Sequence, residues 1–163
     1  MRIALSISVA LLVALAAGAS SASVRKVAVV VGNNRGGDPD KALRYAERDA
    51  AKVRDVLIDL GGVAREDAAL LVGADAEAVW RALRRAEKSI VEARARGEQT
   101  MLLFYFSGHA EGDEIELGET AMEFAALRKF LASSKADVRL GFLDSCQAGR
   151  LIASKGGRPG PGY

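Results

Sequence analysis

The chain has 163 residues, half of them hydrophobic and 27% charged, with 23 basic and 21 acidic side chains and a formal net charge of +2. That is one domain's length with the balance of a globular chain, not of a disordered one. Near-neutrality argues against a dedicated nucleic-acid binder, whose basic residues dominate and cluster.

The N-terminal stretch "MRIALSISVALLVALAAGASSAS" begins with Arg2, continues as an apolar run and ends in small residues. Ala17-Gly18-Ala19 and Ser20-Ser21-Ala22 both fit the small-x-small rule of a secretory cleavage site. The apolar run is shorter than the ~20 residues a membrane-spanning helix needs. Residues 1–22 are therefore expected to be a cleavable signal peptide that exports the rest to the periplasm or beyond, without stable membrane insertion. An uncleaved anchor is the alternative. Export normally brings disulfides, but Cys146 is the single cysteine and cannot form one within the chain. A lone thiol in an oxidising compartment is a liability unless it is buried or used.

Beyond the leader, "KVAVVVG" (26–32) is a continuous β-branched run, the mark of a strand buried on both faces. Asp38-Pro39 offers an N-cap with proline at the first helical position. Leu43, Ala46, Ala50, Val53, Leu57 and Leu60 then recur at helical spacing until Gly61-Gly62. "AALLVG" (68–73) predicts a second strand. Asp75 caps a helix whose stripe is Val79, Leu83, Ala86, Ile90 and Ala93, ending near Gly97.

"TMLLFYFSG" (100–108) predicts the third strand, followed by an acidic excursion, "EGDEIELGE" (111–119). Thr120-Ala121-Met122-Glu123 fits the capping box that opens a helix, with Phe124, Leu127 and Leu131 on its inner side. "VRLGFLD" (138–144) predicts the fourth strand. Residues 154–163 are rich in glycine and proline and read as a tail. Strands alternating with helices predict an α/β fold, a three-layer α/β/α sandwich around a mostly parallel sheet.

Strand 100–106, the helix after it and strand 138–143 form one crossover unit, which makes the two strands parallel. Their C-terminal ends then share one sheet edge, the edge where ligands bind in open parallel sheets. His109, the single histidine, lies just past the first end and Cys146 just past the second. Adjacent strands are ~5 Å apart, so imidazole and thiol are within reach. A thiol needs a base to become the nucleophilic thiolate, and an imidazole can then protonate a leaving amine. The plainer alternative is a small buried cysteine and an unrelated loop histidine.

"FYFSGH" and "LDSCQAG" resemble the histidine and cysteine blocks of the caspase-like cysteine peptidases, metacaspases and bacterial caspase-like proteins above all. "KVAVVVGNN" and "ALRYAERDAAKVRDVLIDLGG" are similar to that family's first strand and first helix. The resemblance spans residues 25–149 in the right order. It implies a peptidase domain over 25–153, with His109 as general base and acid and Cys146 as nucleophile. The backbone N–H groups of Ala110 and Cys146 would form the oxyanion hole. Asp49, Ser107 and Asp144 match the family's substrate-binding positions and imply cleavage after Arg or Lys. A helix aspartate such as Asp49 is otherwise usually a solvated charge.

Two departures from the family stand out. Ala110 replaces the usual glycine after the histidine. The chain also stops at Tyr163, short of the strands and loops that follow the cysteine in the family, so the resemblance implies an incomplete domain. The acidic run reads first as a solvated hairpin. Its functional alternatives are steering of basic substrates or calcium activation, although it lacks the oxygen spacing of an EF-hand loop. "GNNRGGDPDK" lacks the spacing of a phosphate-binding loop, so nucleotide binding is set aside. No cofactor is expected, and the partners are protein or peptide substrates. The expectation is thus an exported cysteine endopeptidase with a Cys146/His109 dyad. The alternatives are a non-catalytic caspase-fold binding or regulatory module, against which the retained dyad argues, and a redox or structural thiol.

Overall fold

A central strand, β1 (Val24–Gly32), carries the run of β-branched residues and is buried on both faces because helices cover both sides. The computed structural model describes residues 24–37 and 42–145. After β1 come α1 (Ala46–Asp59), β2 (Ala68–Val72), α2 (Ala76–Ala95) and β3 (Gln99–Ser107). Three short strands follow, β4 (Ala110–Glu111), β5 (Glu114–Leu117) and β6 (Thr120–Glu123), then α3 (Phe124–Ser133) and β7 (Val138–Asp144). The main sheet has the order β2-β1-β3-β7 and is parallel throughout.

Strand alternation divides the core into two layers. Val27, Val29 and Val31 of β1 and Leu102, Phe104 and Phe106 of β3 face α2 and α3, meeting Val79, Leu83, Ile90, Phe124 and Leu127. The opposite residues Ala28, Val30 and Leu103 face α1, where Ala50, Val53 and Leu57 close over them. This is the expected three-layer sandwich. On β7, Val138, Leu140 and Phe142 remain 42%, 36% and 50% exposed, because α1 covers β1 and β2 and does not extend across this edge of the described sheet.

The Asp75 cap is present: its carboxylate accepts the Ala78 N–H at 2.7 Å. Gly97 takes φ +81° after α2, a left-handed turn that glycine adopts without a Cβ penalty. The helix after β1 differs from its expected start. It begins at Ala46, and the Asp38-Pro39 signal lies outside the described residues. Asn34 takes over the cap from thirteen residues away. Its Oδ1 accepts the Glu47 N–H at 3.3 Å, while Glu47 Oε1 accepts the Asn34 N–H at 3.2 Å. Leu43 stays in the loop, its N–H bonded to the Asn34 carbonyl, and Leu60 lies past the last turn, 84% exposed.

The capping box at Thr120 is not formed. Residues 120–123 pair instead with β5, Met122 opposite Ile115, both fully buried. The helix therefore starts at Phe124, after an extended Glu123 with no side-chain cap. Thr120 serves a different helix: its Oγ1 accepts the Ala76 N–H at the start of α2 and donates to the Leu117 carbonyl, both at 2.9 Å. The signal-peptide reading of residues 1–22 and the tail reading of 154–163 fall outside the described residues. Among the described residues, no helix is long and apolar enough to cross a membrane.

Candidate active site

β3 and β7 are hydrogen-bonded neighbours, and their register closes with Ser107 opposite Asp144. β3 ends at Ser107 and β7 at Asp144, each one residue beyond the ends at 106 and 143 expected for the crossover unit, so His109 and Cys146 each follow their strand end by two residues in sequence. The two strand ends, on strands about 4.8 Å apart, lie at one edge of the sheet. Cys146 itself lies outside the described residues. Ser145, immediately before it, has its Oγ buried and without a hydrogen-bond partner among the described residues.

His109 is half-buried between the end of β3 and the loop after β1. Gly36 lies against its ring so closely that a Cβ there would sit 3.0 Å from the imidazole Cγ and Cδ2, and 2.5 Å from Glu116 Oε2. The His109 carbonyl accepts the Glu116 N–H at 3.0 Å. That bond makes 109 and 116 a hydrogen-bonded antiparallel pair, so the next pair, Ala110 opposite Ile115, is a non-hydrogen-bonded one. The Ala110 N–H consequently points off the ladder, away from β5. No described residue other than glycine has positive φ, so alanine in place of glycine introduces no backbone strain here.

Ser107 and Asp144 bond to the hydroxyl of Tyr105, and the charge of Asp49 reaches it. Tyr105 and Ser107 lie on the same face of β3, two residues apart, opposite Phe142 and Asp144 of β7. The Tyr105 hydroxyl donates to Asp144 Oδ2 at 3.3 Å. Burial first, then the Asp144 charge, pushes the phenol above its usual value of 10; a bond from Ser107 opposes this, and the Asp49 charge adds to it. Asp49 reaches this side from the first turn of α1. Its only other charged contact among the described residues is with Lys52 at 3.7 Å, a surface pair of little energetic weight. Ser107 is buried and Asp144 exposed. The cluster is therefore acidic and open at Asp144, and its Ser107 stands two residues before His109 in the chain.

The acidic excursion is a hairpin with an apolar inner face, not a purely solvated one. Ile115 and Leu117 alternate into the core while Glu114 and Glu116 face away. Gly112 and Gly118 turn the chain at φ +58° and +67°. A groove of about 930 Å³ runs along its outside, lined by Glu111, Asp113, Glu114, Glu116, Glu119 and Glu123. His109 does not line it, although Glu116, which does, shares Gly36 as a neighbour with the imidazole. Among the described residues, no three carboxylate, histidine or cysteine side chains come together as a metal site.

Sequence reasoning passed over Tyr105, Asn34 and Gly36. Tyr105 had a findable signal, since strand alternation puts it on the face of Ser107. Asn34 and Gly36 act through contacts distant in sequence, which local patterns do not carry. The family model of the caspase domain matches residues 25–160. No curated protein matches the chain.

Proposed function

Since the chain belongs to the caspase-domain family of cysteine peptidases, we propose that it is a metacaspase-like endopeptidase using Cys146 as nucleophile and His109 as base, cleaving after Arg or Lys. The observation that carries this reading is the β3–β7 register, Ser107 opposite Asp144, with the two reactive residues at equal offsets beyond it. The Cys146 thiol transfers its proton to the His109 imidazole and its sulfur attacks the scissile carbonyl carbon. The Ala110 N–H, directed off its ladder, and the Cys146 N–H stabilise the oxyanion. Collapse breaks the C–N bond as His109 protonates the departing amine, leaving a thioester. Water, deprotonated by His109, then releases the acid product and the thiol.

The preference for a basic residue before the scissile bond is supported by the two carboxylates, Asp144 paired with Ser107 and Asp49 on α1, whose charges both act on the Tyr105 hydroxyl. A guanidinium or ammonium entering here meets two carboxylates within a partly desolvated wall, where charge-assisted bonds are strong. The reaction as written uses no cofactor. Export through the N-terminal segment is part of the same proposal; fractionation of cells making the full chain tests it, and retention in the cytoplasm would refute it.

The direct test assays the full chain on reporter peptides that differ only in Arg, Lys or Asp before the cleaved bond. Turnover of the Arg and Lys peptides, lost in Cys146→Ala and His109→Ala, is the expected result. Persistent cleavage by Cys146→Ala refutes the mechanism. Preference for Asp refutes only the basic-pocket assignment. No turnover on any peptide favours the non-catalytic module.

A further inference from the structure

We propose that Tyr105 is a positioning residue of the basic side-chain pocket, its phenol O–H donating to Asp144 Oδ2 and so presenting the other carboxylate oxygen to the substrate cation. The inference rests on the peptidase reading above and goes beyond it by adding a residue which that reading does not require. Three observations lead to it. Tyr105 stands on the β3 face that carries Ser107, one step from the Ser107–Asp144 pair. Its hydroxyl reaches Asp144 at 3.3 Å, and its ring packs on the α1-side core beside Leu103. The core needs only the ring, which phenylalanine would supply; the hydroxyl is accounted for by its carboxylate partner.

A carboxylate at an exposed strand end can rotate about its side-chain torsions. A phenol held by a rigid strand restricts it, which lowers the entropy lost when a substrate cation binds. The same environment keeps the phenol protonated. Burial, the Asp144 charge and the Asp49 charge all oppose tyrosinate, outweighing the Ser107 bond, so Tyr105 remains a donor through neutral and mildly alkaline pH. An aromatic face beside the cation also adds attraction of its own, and Tyr105→Phe preserves that contribution.

The test compares the full chain with Tyr105→Phe, Asp144→Asn and the double variant on two peptides, one with Arg and one with neutral citrulline before the cleaved bond. In Tyr105→Phe the Arg-over-citrulline ratio of kcat/KM should fall on the order of fivefold, mainly through KM, as for the loss of one ordinary hydrogen bond. In the Asp144→Asn background, removing the hydroxyl should add nothing. Equal losses on both peptides, or the same loss with and without Asp144, overturn the positioning role. If Asp144→Asn abolishes the Arg preference while Tyr105→Phe leaves it intact, only this proposal fails. If Asp144→Asn leaves the preference intact, or no peptide is cleaved, the underlying reading fails and takes this one with it. Ultraviolet titration of the phenols is independent of turnover. The transition missing in Tyr105→Phe should be shifted upward in the full chain and should move down in Asp144→Asn; no movement overturns the contact.

Discussion

Ser107 and Asp144 close the β3–β7 ladder, and the N–H of Gly108, next to Ser107, donates to the Asp144 carbonyl at 3.3 Å. The turn into His109 is thereby tied to the strand that leads to Cys146. Gly108 allows it: a Cβ there would meet Phe106 Cζ at 2.5 Å and the Asn33 carbonyl oxygen at 2.9 Å. The second contact is backbone and cannot swing away. Gly108→Ala should cost about 1–3 kcal/mol by overpacking, read as a lower urea midpoint. It should also reduce kcat/KM more than that stability loss explains at temperatures where the variant remains folded. A variant with unchanged stability and turnover would show that the turn is not constrained.

The helix that carries Asp49 is capped by a reciprocal pair, Asn34 with Glu47. Asn34→Ala removes the side-chain acceptor for the Glu47 N–H and should destabilise the fold by about 1 kcal/mol, the usual loss for a cap. Glu47→Gln keeps an oxygen for the Asn34 N–H and should lose less. Urea titrations of the two variants check the order, which the cap assignment requires. A larger loss in Glu47→Gln would contradict it.

The four strands of the main sheet and the bodies of the three helices could be read from periodicity, because buried β-branched runs and apolar stripes at helical spacing reflect burial directly; the three short strands after β3 were not. Topology added the parallel β3–β7 pairing, since a crossover connection leaves few alternatives. The errors share one physical cause. Thr120-Ala121-Met122-Glu123 has the local chemistry of a capping box, but these residues pair with β5 and bury Met122 opposite Ile115, a tertiary contact that overrides the local signal. Asn34 caps a helix that starts twelve residues later, and no local pattern reports that. Around the histidine, "FYFSGHA" gave the block, while the direction of the Ala110 N–H depends on which antiparallel pair is hydrogen-bonded, a matter of register with β5.

Gly36 packs on His109 and Glu116 together, and Gly36→Ala separates a catalytic effect from a folding one. The 2.5 Å approach to Glu116 Oε2 can be relieved because that carboxylate is the end of a flexible side chain; the 3.0 Å contacts to the imidazole ring cannot be relieved without moving it. The variant should therefore fold while kcat falls on the order of tenfold, in line with the sensitivity of catalysis to small misplacements. Adding Glu116→Ala should not restore it. Recovery in the double variant would place the fault in the carboxylate and not in the imidazole.

Asp137 ties the start of β3 to the start of β7 and makes stability depend on acid. Its carboxylate accepts bonds from the Arg94 guanidinium and from the Thr100 N–H at 2.8 Å, while the Asp137 N–H donates to the Thr100 carbonyl at 3.1 Å. The Arg94 bond, then the Thr100 backbone bond, hold the carboxyl below its ordinary value of 3.8. A carboxyl depressed in the folded state binds its proton more readily in the unfolded chain. Its contribution is therefore complete above the unfolded value and is lost as pH falls through the folded one. Both partners are well exposed, so solvent screening keeps the contribution small. Asp137→Asn should lower the urea midpoint modestly at pH 7, and the gap to the parent should narrow as the pH drops below about 4. A gap that stays constant into acid would show that the loss comes from hydrogen-bond geometry and not from charge.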